Sequence, residues 1–590
     1  MQGMTRNTRL DYFNVYLNGQ AIEPEMANAI TRISVDTNLH LPGMFEVHLL
    51  DRLQSGQLKW IDSTALKIGA PVKISATPMR LLDQTQSHEP VVLIVGEITA
   101  LECAFDETGS ALLVVRGYDK SHRLHFGTKT ATYANMTDSA IVKKVADNLS
   151  IDVQAAPTTV VHEYVLQSNI TDMAFLRTRA QRVGFDLLVD EQGKLIFRKA
   201  SQPTGEGATL EWGKDLQLFR PRVSAIGQTG QVTVNGWDIK GKNTFQGTQA
   251  LPSKIEQGGS SLGVDLAAAR EMAGRATKDI LTDQAALTPP EADALAKSIA
   301  DEIQNEFVEA DGTCVGRPNL RAGRTATISG VGRKFSGTYL VTSATHSYTA
   351  QTGYVTEFHI SGRTPDTFAH LIQSDPSSVQ RTYGVVIGVV TNNNDPMNLG
   401  RVKVKFPWLG NSPEIESAWC RLSVPMAGAQ RGLCFIPEVN DEVLVTFEHG
   451  DVNAPYVIGA LWNSVDKPPL PSNELVKNGK VVQRVLYSRS GHKIILDDTQ
   501  SKEKITIMDK SGDTFEFDAV KKSLSVKVGG DCTIEAQGKV ALKSLEDDLV
   551  IECKNFSVKA KASCKLEANS DVSIDGMQVA LNGTALVVMK

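Results

Sequence analysis

The feature that most constrains this fold is a strand pattern that recurs about every eight residues near the C-terminus. Each repeat places apolar residues at alternate positions, with Lys, Glu, Asp, Ser or Thr between them, which is typical of a half-buried β-strand. Glycine, asparagine or aspartate falls between the repeats, where the chain must turn. The runs are Leu524-Val526-Val528, Cys532-Ile534-Ala536, Val540-Leu542, Leu549-Ile551-Cys553, Phe556-Val558-Ala560, Cys564-Leu566-Ala568, Val572-Ile574 and Val579-Leu581.

A repeat of this size cannot bury its apolar face alone, because a single short strand has nothing to pack against. Copies of the strand must therefore stack on one another. The pattern predicts a β-helix or β-prism, which is a stiff rod without an active-site cleft. Taken alone, such stacked strands are compatible with an adhesin or with the scaffold of a lyase.

Composition excludes several classes of protein. A length of 590 residues predicts three to five domains. A content of 41% hydrophobic and 22% charged residues is ordinary for a folded soluble protein. The net charge of −6 provides no basic field to attract a nucleic acid or an anionic membrane. The longest apolar runs have about five residues, far too few to span a bilayer.

Targeting signals and cysteines point to a cytoplasmic site of synthesis. Met1 to Gly19 contain no apolar h-region, so we expect no signal peptide. The seven cysteines form no C-x-x-C pair. We expect them to be small buried apolar residues made in a reducing compartment, and not a disulfide framework or a metal site.

The segments before the rod mix strands and helices. Alternating apolar residues predict antiparallel strands over 11–117 and again over 314–363. Helix patterns begin near Thr137, near Thr171 and at Pro289-Pro290.

A compact all-β unit comes next. Residues 383–465 hold five or six short strands with Gly, Pro and Asn turns, which suits an OB-type barrel. Its expected strands include Gly432 to Ile436. A proline-rich joint, Lys467 to Pro471, then precedes the rod.

Motifs from two parts of the chain resemble the family of VgrG and phage late-control proteins. The N-terminal motifs are Arg116 to Leu124, Met136 to Ser139, Gln167 to Asp172, Phe175-Leu176 and Gly184-Phe185. The barrel motifs, similar to the OB domain of spike proteins, are Gly400 to Trp408, Pro437 to Val445, His449-Gly450-Asp451, Pro455, Gly459 and Trp462-Asn463. The order of hub, OB barrel and β-helix is also that of the family, so the resemblance covers nearly the whole chain.

The resemblance implies a mainly β, multidomain fold. Its parts would be tandem hub β-barrels with accessory helices, an OB-fold barrel and a C-terminal intertwined triple-stranded β-helix. The implied domains are a hub at 1–375 with a loose insertion at about 241–288, the OB barrel at 380–465, a linker at 466–480 and a β-helical spike at 481–590. Unlike the best-known phage spikes, the chain has no lysozyme-like domain between the barrel and the rod.

The resemblance also implies partners. We expect a homotrimer that caps the inner tube of a contractile injection system, with an Hcp-like tube protein at the hub, a PAAR-like tip protein at the far end, and baseplate proteins and effectors beside it. The tip protein would dock on Leu586, Val587, Val588 and Met589. The expected trimer core of the spike is Val526, Ile534, Leu542, Ile551, Val558, Leu566, Ile574 and Leu581.

Motifs that could carry catalysis have simpler explanations. Gly259 to Gly263 fits G-x-S-x-G, but no apolar strand runs into it, so we interpret it as a Gly/Ser loop. His122 and His125 have no third ligand at metal spacing. His449, beside Asp451, fits a turn between two OB strands. We therefore expect no catalytic residue, no cofactor and no metal.

Two further patterns have a specific and a general interpretation. Arg401, Lys403 and Lys405 alternate along one OB strand, which weakly suggests nucleic-acid binding, but we expect solvated or intersubunit ion pairs instead. The helix at 291–308 carries Leu295, Ile299, Ile303 and Phe307 on one stripe. We expect this stripe to pack inside the subunit, and packing around a threefold axis is the alternative.

The resulting hypothesis is mechanical delivery by a spike within an injection particle, which fires outward or into a target cell. The alternatives are a cell-envelope hydrolase carried on a tail and a monomeric β-solenoid adhesin. The sequence leaves open whether the machine is a type VI system, an extracellular particle or a phage.

Overall fold

The computed structural model describes residues 12–53, 56–78, 89–200, 202–205, 207–225, 228–251, 257–259, 261–274, 279–281, 285–362, 381–409 and 415–584. The chain divides into two compact units, Met1–Lys467 and Pro468–Lys590. Within the described part of the chain, no helix is long and apolar enough to cross a membrane.

The first barrel follows the alternation of apolar residues at the N-terminus. Phe45, Ile33 and Ile74 point into one core, which is completed by Tyr354 from much later in the chain. The elements are β1 (Phe13–Leu17), β2 (Gln20–Ala21), α1 (Pro24–Ala29), β3 (Ile30–Asn38), β4 (Met44–Arg52), β5 (Pro71–Ala76), β6 (Val91–Phe105) and β7 (Ser110–Asp119).

A small mixed subdomain follows and contains the first two predicted helices. The hydroxyl oxygens of Thr137 and Thr171 accept hydrogen bonds from Ala140 N and Ala174 N, which confirms both residues as N-caps. Phe175 is fully buried in the core between the helices and strands. After a 3-10 turn (Lys120–His125), the elements are β8 (Lys129–Thr137), α2 (Asp138–Asn148), β9 (Val153–Ala155), β10 (Val161–Ile170), α3 (Asp172–Arg182), β11 (Phe185–Val189) and β12 (Leu195–Lys199).

The third region returns to β structure and completes the hub. Its elements are β13 (Ala208–Glu211), β14 (Leu216–Val223), β15 (Gln231–Asp238), β16 (Asn243–Ala250), α4 (Leu262–Gly274), β17 (Asp279–Leu281), α5 (Pro289–Asn305), β18 (Val308–Val315), β19 (Thr325–Ser329), α6 (Gly332–Phe335), β20 (Gly337–Leu340), β21 (Ser343–Thr349) and β22 (Gly353–Ile360). Strand β21 pairs antiparallel with β3, with His346 opposite Val35. This pairing joins both halves of the hub in one eleven-stranded sheet of order β14-β18-β22-β21-β3-β4-β7-β6-β5-β1-β2.

Helix α5 packs inside its own subunit, as the sequence predicts. Leu295, Ile299 and Ile303 contact Val232 and Val234 of β15 in a core of their own. The inclusion of Phe307 in the stripe is wrong, because α5 ends at Asn305 and Phe307 packs in the core around β18. Part of the segment expected to be loose, 241–288, forms β16 and α4.

The OB barrel is closed. Its strands and hairpin are β23 (Val386–Asn392), β24 (Lys403–Lys405), β25 (Arg421–Leu422), β26 (Ala427–Gly428), β27 (Arg431–Gly432), β28 (Glu442–Phe447) and β29 (Pro455–Ala460). The sheet order β24-β23-β28-β29-β25 leaves two edges, and reciprocal hydrogen bonds between Val402 and Cys420 of 3.0 and 2.7 Å join them. The expected strand at Gly432–Ile436 is wrong, because only β27 forms and Phe435 is exposed.

The second unit begins with an antiparallel meander. Its elements are α7 (Ser472–Leu475), β30 (Val476–Lys477), β31 (Lys480–Val481), β32 (Gln483–Tyr487), β33 (Lys493–Asp497), β34 (Lys504–Met508), β35 (Thr514–Asp518) and β36 (Ser523–Lys527). The strands from β32 to β36 pair in sequence order. Only the first predicted run, at Leu524, is a paired strand, because no strand occurs among the described residues from 528 to 584. A single chain therefore does not form the β-helix, which stays a prediction.

Close packing in the first barrel gives a direct test of this fold. A Cβ atom on Gly117 would overlap the Glu97 carbonyl oxygen and the Phe45 ring. We expect Gly117→Ala to lower the free energy of unfolding of the hub by about 3 kcal/mol, the upper range for overpacking. Gly230→Ala, whose Cβ meets nothing within 4 Å, is the control and should change it by less than about 0.5 kcal/mol. Chemical denaturation measures both variants. An equal loss of unfolding free energy in Gly117→Ala and Gly230→Ala would contradict the close packing around Gly117.

Candidate functional site

One face of the β32–β36 sheet is an apolar ladder. In the strand register, Ile494 lies opposite Ile507 and Phe515 opposite Val526. The ladder, named here the prism face, consists of Leu486, Ile494, Ile507, Phe515 and Val526 in one row and Leu496, Ile505, Phe517 and Leu524 in the other. These side chains are 38–55% exposed in the single chain. Such a contiguous apolar surface indicates an interaction site.

The opposite face of the same sheet is polar. Lys504 Nζ lies 3.1 Å from Glu516 Oε2, and Thr506 Oγ1 donates a hydrogen bond of 3.1 Å to the same oxygen. The Lys504 hydrogen bond and the Thr506 hydrogen bond lower the pKa of Glu516. The sheet is therefore amphipathic, with a charged side suited to water and a prism face that requires a cover.

The chain after β36 continues this exposure. All eight expected trimer-core residues, from Val526 to Leu581, are between 51% and 77% exposed. Their role stays a prediction. The expected tip-docking residues, Leu586 to Met589, lie outside the described residues.

The cysteines only partly match their expected burial. Cys314 and Cys420 are buried, and burial raises the pKa of each thiol to about 12. The expectation is wrong for Cys103 and Cys434, which are exposed. Cys532, Cys553 and Cys564 are exposed in the single chain but lie in the runs of the expected trimer core, so their burial stays a prediction.

The OB barrel presents a second apolar surface, named here the OB face. Ile387 on β23 is 46% exposed and lies opposite Leu444 on β28. Ile458 on β29 is 42% exposed beside them. Met426 and Phe435, on the hairpin side of the barrel, are 51% and 56% exposed. The inner side is a normal core that includes Leu166 from the hub strand β10.

The basic residues of the OB strand are paired within the subunit. Arg401 is 6% exposed, and its Nη2 and Nε atoms donate to the Asp395 carboxylate at 2.7 and 3.1 Å. Backbone N–H groups of Met397 and Leu399 donate to the same carboxylate. The Arg401 hydrogen bond holds the pKa of Asp395 far below its usual range. Lys403 Nζ lies 2.7 Å from Glu416 Oε2. Arg401 is therefore not available to a nucleic acid, and the expectation of solvated or intersubunit pairs is wrong for Arg401.

The motifs with catalytic appearance have structural roles. Gly258 N donates to Thr338 O at 3.0 Å, so the glycine run allows a close approach between its loop and β20. His122 Nδ1 lies 2.7 Å from the carbonyl oxygen of Asp119. His449 has φ of 50° inside the turn Glu448–Gly450, as expected for a turn residue. Among the residues that the structure describes, no group of His, Cys, Asp and Glu is arranged to hold a metal ion.

One buried charged cluster was not expected from the sequence. It comprises Asp138, His162, Arg179 and Glu291, which come from four different elements. Asp138 is 0% exposed and His162 is 7% exposed, so no substrate can reach the imidazole. The cluster is therefore a structural junction. Its members are scattered over more than 150 positions of the chain, and no local spacing could have indicated it.

The closed OB barrel, the two-part hub on one sheet and the amphipathic meander define the fold of a hub–spike protein of contractile injection machinery. Residues 7–350, more than half of the chain, match the Alg8 N-terminal domain family. Residues 386–462 match the type VI secretion system/phage-baseplate injector OB domain. The chain belongs to the family of the Alg8 N-terminal domain, and its resemblance to VgrG-like proteins is confirmed.

Individual relatives match over short segments. A type VI secretion system spike protein, VgrG2a of Pseudomonas aeruginosa, is 31% identical over 117 residues, which are 19% of this chain and 14% of that protein. The actin cross-linking toxin VgrG1 of Vibrio cholerae is 34% identical over 111 residues, which are 18% of this chain and 10% of that protein. The chain thus covers only a small part of these relatives.

A solved structure shows the same fold over most of the chain. The Francisella PdpA–VgrG complex in its half-lidded state matches with a TM-score of 0.51 and 10% identity, and the match covers 88% of each chain. At this identity the likeness establishes the fold alone.

The buried pair in the OB barrel generates a stability prediction. We expect Asp395→Asn to destabilise the barrel by about 3 kcal/mol, because it leaves Arg401 buried without a compensating charge. In the wild type, the lowered pKa means that this contribution is complete above pH of about 4 and is lost as the pH falls further.

The control for this prediction is Asp311→Asn. Asp311 lies 2.6 Å from His359 in an ion pair whose side chains are 62% and 53% exposed, so its loss should change the free energy of unfolding by less than about 0.5 kcal/mol. Denaturant unfolding at several pH values measures the free energy of unfolding of both variants and of the wild type. A loss for Asp395→Asn no larger than that of the control would show that the buried pair does not stabilise the barrel.

Proposed function

We propose that the protein is the homotrimeric central spike of a contractile injection system. The hub would cap the inner tube, and the rod would puncture the target envelope when the sheath contracts. The observation that carries this proposal is the prism face together with the apolar run that follows it. The division into hub (1–375), OB barrel (380–465), linker (466–480) and spike (481–590) is part of the proposal.

Three copies of the prism face can bury one another. The strands of each β32–β36 sheet pair with one another within the chain, so the inner strands need no backbone partner from another copy, while the apolar side chains need a cover. Three such sheets would form the walls of a triangular prism with the prism faces inward and the Lys504–Glu516 face outward. Full burial of a large apolar side chain contributes about 1.5–3 kcal/mol, and the nine ladder residues per chain supply many such terms.

The chain beyond β36 needs partner strands as well as an apolar cover. Its runs are short and exposed, and interwinding with two other copies would pair their backbone groups and fill one core with Ile534, Ile551 and the other inward residues. With a strand spacing of about 4.8 Å, the five meander strands and the seven later runs give a rod on the order of 50 Å. Paired strands from three chains would unfold cooperatively under axial load.

The remaining partners follow from the same architecture. The OB face would be buried between subunits of the trimer. An Hcp-like tube protein would contact the hub, and a PAAR-like tip protein would dock on Leu586 to Met589. Relatives named as type VI secretion system spike proteins and a solved complex of PdpA with VgrG support a spike that binds other proteins. Effectors and baseplate proteins are further partners in this proposal. The role is structural, and the protein would act as part of a fired particle.

The trimer core can be tested with one substitution and one matched control. Ile551→Asp places three carboxylates near one axis without partners, and burial of an unpaired charge is strongly unfavourable. We expect the variant to lose the trimer. Ser557→Asp adds the same charge at an outward position of a neighbouring run and should leave the trimer intact. Light scattering after size-exclusion chromatography measures the mass of both. Intact trimers for Ile551→Asp would refute the interwound core.

A further inference from the structure

The buried cluster in the hub is a junction between four elements. Asp138 begins α2, His162 lies on β10, Arg179 lies on α3 and Glu291 lies in the first turn of α5. His162 is placed between the two carboxylates: its Nε2 atom lies 3.0 Å from Asp138 Oδ2, and its Nδ1 atom lies 3.0 Å from Glu291 Oε1. Only an imidazole with both nitrogens protonated can donate to both.

A cation competes for the same ring nitrogen. Arg179 donates through Nε to Asp138 Oδ1 at 2.6 Å, and its Nη2 atom lies 2.6 Å from His162 Nε2. A protonated Nε2 donates to Asp138 and is repelled by Arg179 Nη2–H. A neutral Nε2 accepts from Arg179 and then faces the Asp138 oxygen with its lone pair. The proton on His162 therefore selects between two hydrogen-bond arrangements.

The charge balance favours the protonated arrangement. With His162 charged, the cluster holds two carboxylates and two cations, whereas neutral His162 leaves one buried negative charge in excess. Arg182, the other charged group on this side, donates to Ala285 O at 2.8 Å and acts on Glu291 only through its charge. Burial lowers the pKa of His162, but the hydrogen bonds to Asp138 and Glu291 outweigh burial and raise it above its ordinary value.

The cluster connects α5 to the rest of the hub. Helix α5 packs on β15 and β16 in a separate small core, so these three elements form a module of their own. The module contacts β10 through the Glu291–His162 pair and α3 through a hydrogen bond from Ser298 Oγ to Gln181 O, and Ser298 also lies close to Gly184. Of these contacts, the one that includes a group titrating near neutral pH is the Glu291–His162 pair.

We propose that His162 is a proton-controlled latch that holds the β15–β16–α5 module against the rest of the hub. When His162 loses its proton, its positive charge no longer attracts the Glu291 carboxylate. The contact between His162 and Glu291 weakens, and the module opens more often. Because the contact with Glu291 raises the pKa of His162, docking is stabilised most while His162 is protonated, and this stabilisation is lost as the pH rises through the raised pKa of the docked state.

Hydrogen exchange of the whole protein, expressed as protection factors for the α5 amides at pH 6 to 9, tests the latch. We expect α5 protection to fall by up to about tenfold for each pH unit between the His162 pKa of the undocked state and the raised pKa of the docked state. His162→Gln should remove this pH dependence. Glu291→Gln should also flatten it, because this change removes the carboxylate through which the charge of His162 acts on the module.

His359→Gln is the matched control, because His359 forms an exposed pair with Asp311. It should leave the pH profile of α5 unchanged. Wild-type α5 protection that is constant with pH would overturn the latch, and so would an equal fall in His162→Gln. If His162→Gln does not fold, the flattened profile expected for Glu291→Gln is the test, and an unchanged fall in that variant would overturn the latch.

Discussion

The structure depends on one constraint: the second unit carries more apolar surface than one chain can bury. The strands of the β32–β36 sheet pair in sequence order and its opposite face is mostly polar, yet the prism face has no cover within the described part of its own unit. A sheet in this condition would aggregate or bind a partner. Self-association is the simplest solution, since the required complementary surface is another copy of the same ladder.

The hub and the OB barrel bury most of their apolar side chains within a single chain. Their cores are formed within the chain, from residues far apart in sequence, as when Tyr354 joins the first barrel and Leu166 joins the OB core. Two groups of buried charges are paired inside the subunit, at Asp395–Arg401 and around His162. The first unit is therefore folded around complete cores, while the second unit leaves the prism face exposed in the single chain.

The sequence predicts those parts of the fold that have a local signal. Strand alternation identified most strands of the first barrel and OB barrel, and the cap residues Thr137 and Thr171 marked two helices. The predicted apolar stripe on α5 wrongly includes Phe307, because Phe307 follows Ile303 at helical spacing although the helix ends at Asn305. Phe435 was assigned to a strand because it is apolar, although its backbone has no partner strand there.

The contacts that sequence reasoning missed are non-local. Asp138, His162, Arg179 and Glu291 meet only because the hub brings α5 back onto β10 and α3. The prism face had a partial signal, since Ile505 and Ile507 alternate with Thr506 as in the later repeat, whereas Ile494 and Leu496 flank the apolar Ile495. The difference between a meander within one chain and strands shared among three chains has no signature in such alternation.

The mass of the intact protein in solution tests the central claim most directly. Sedimentation equilibrium over a range of concentrations should give about 192 kDa, three times the chain mass of 64.0 kDa. A mass of 64.0 kDa throughout that range would contradict the account, because the prism face would then be exposed in a stable monomer.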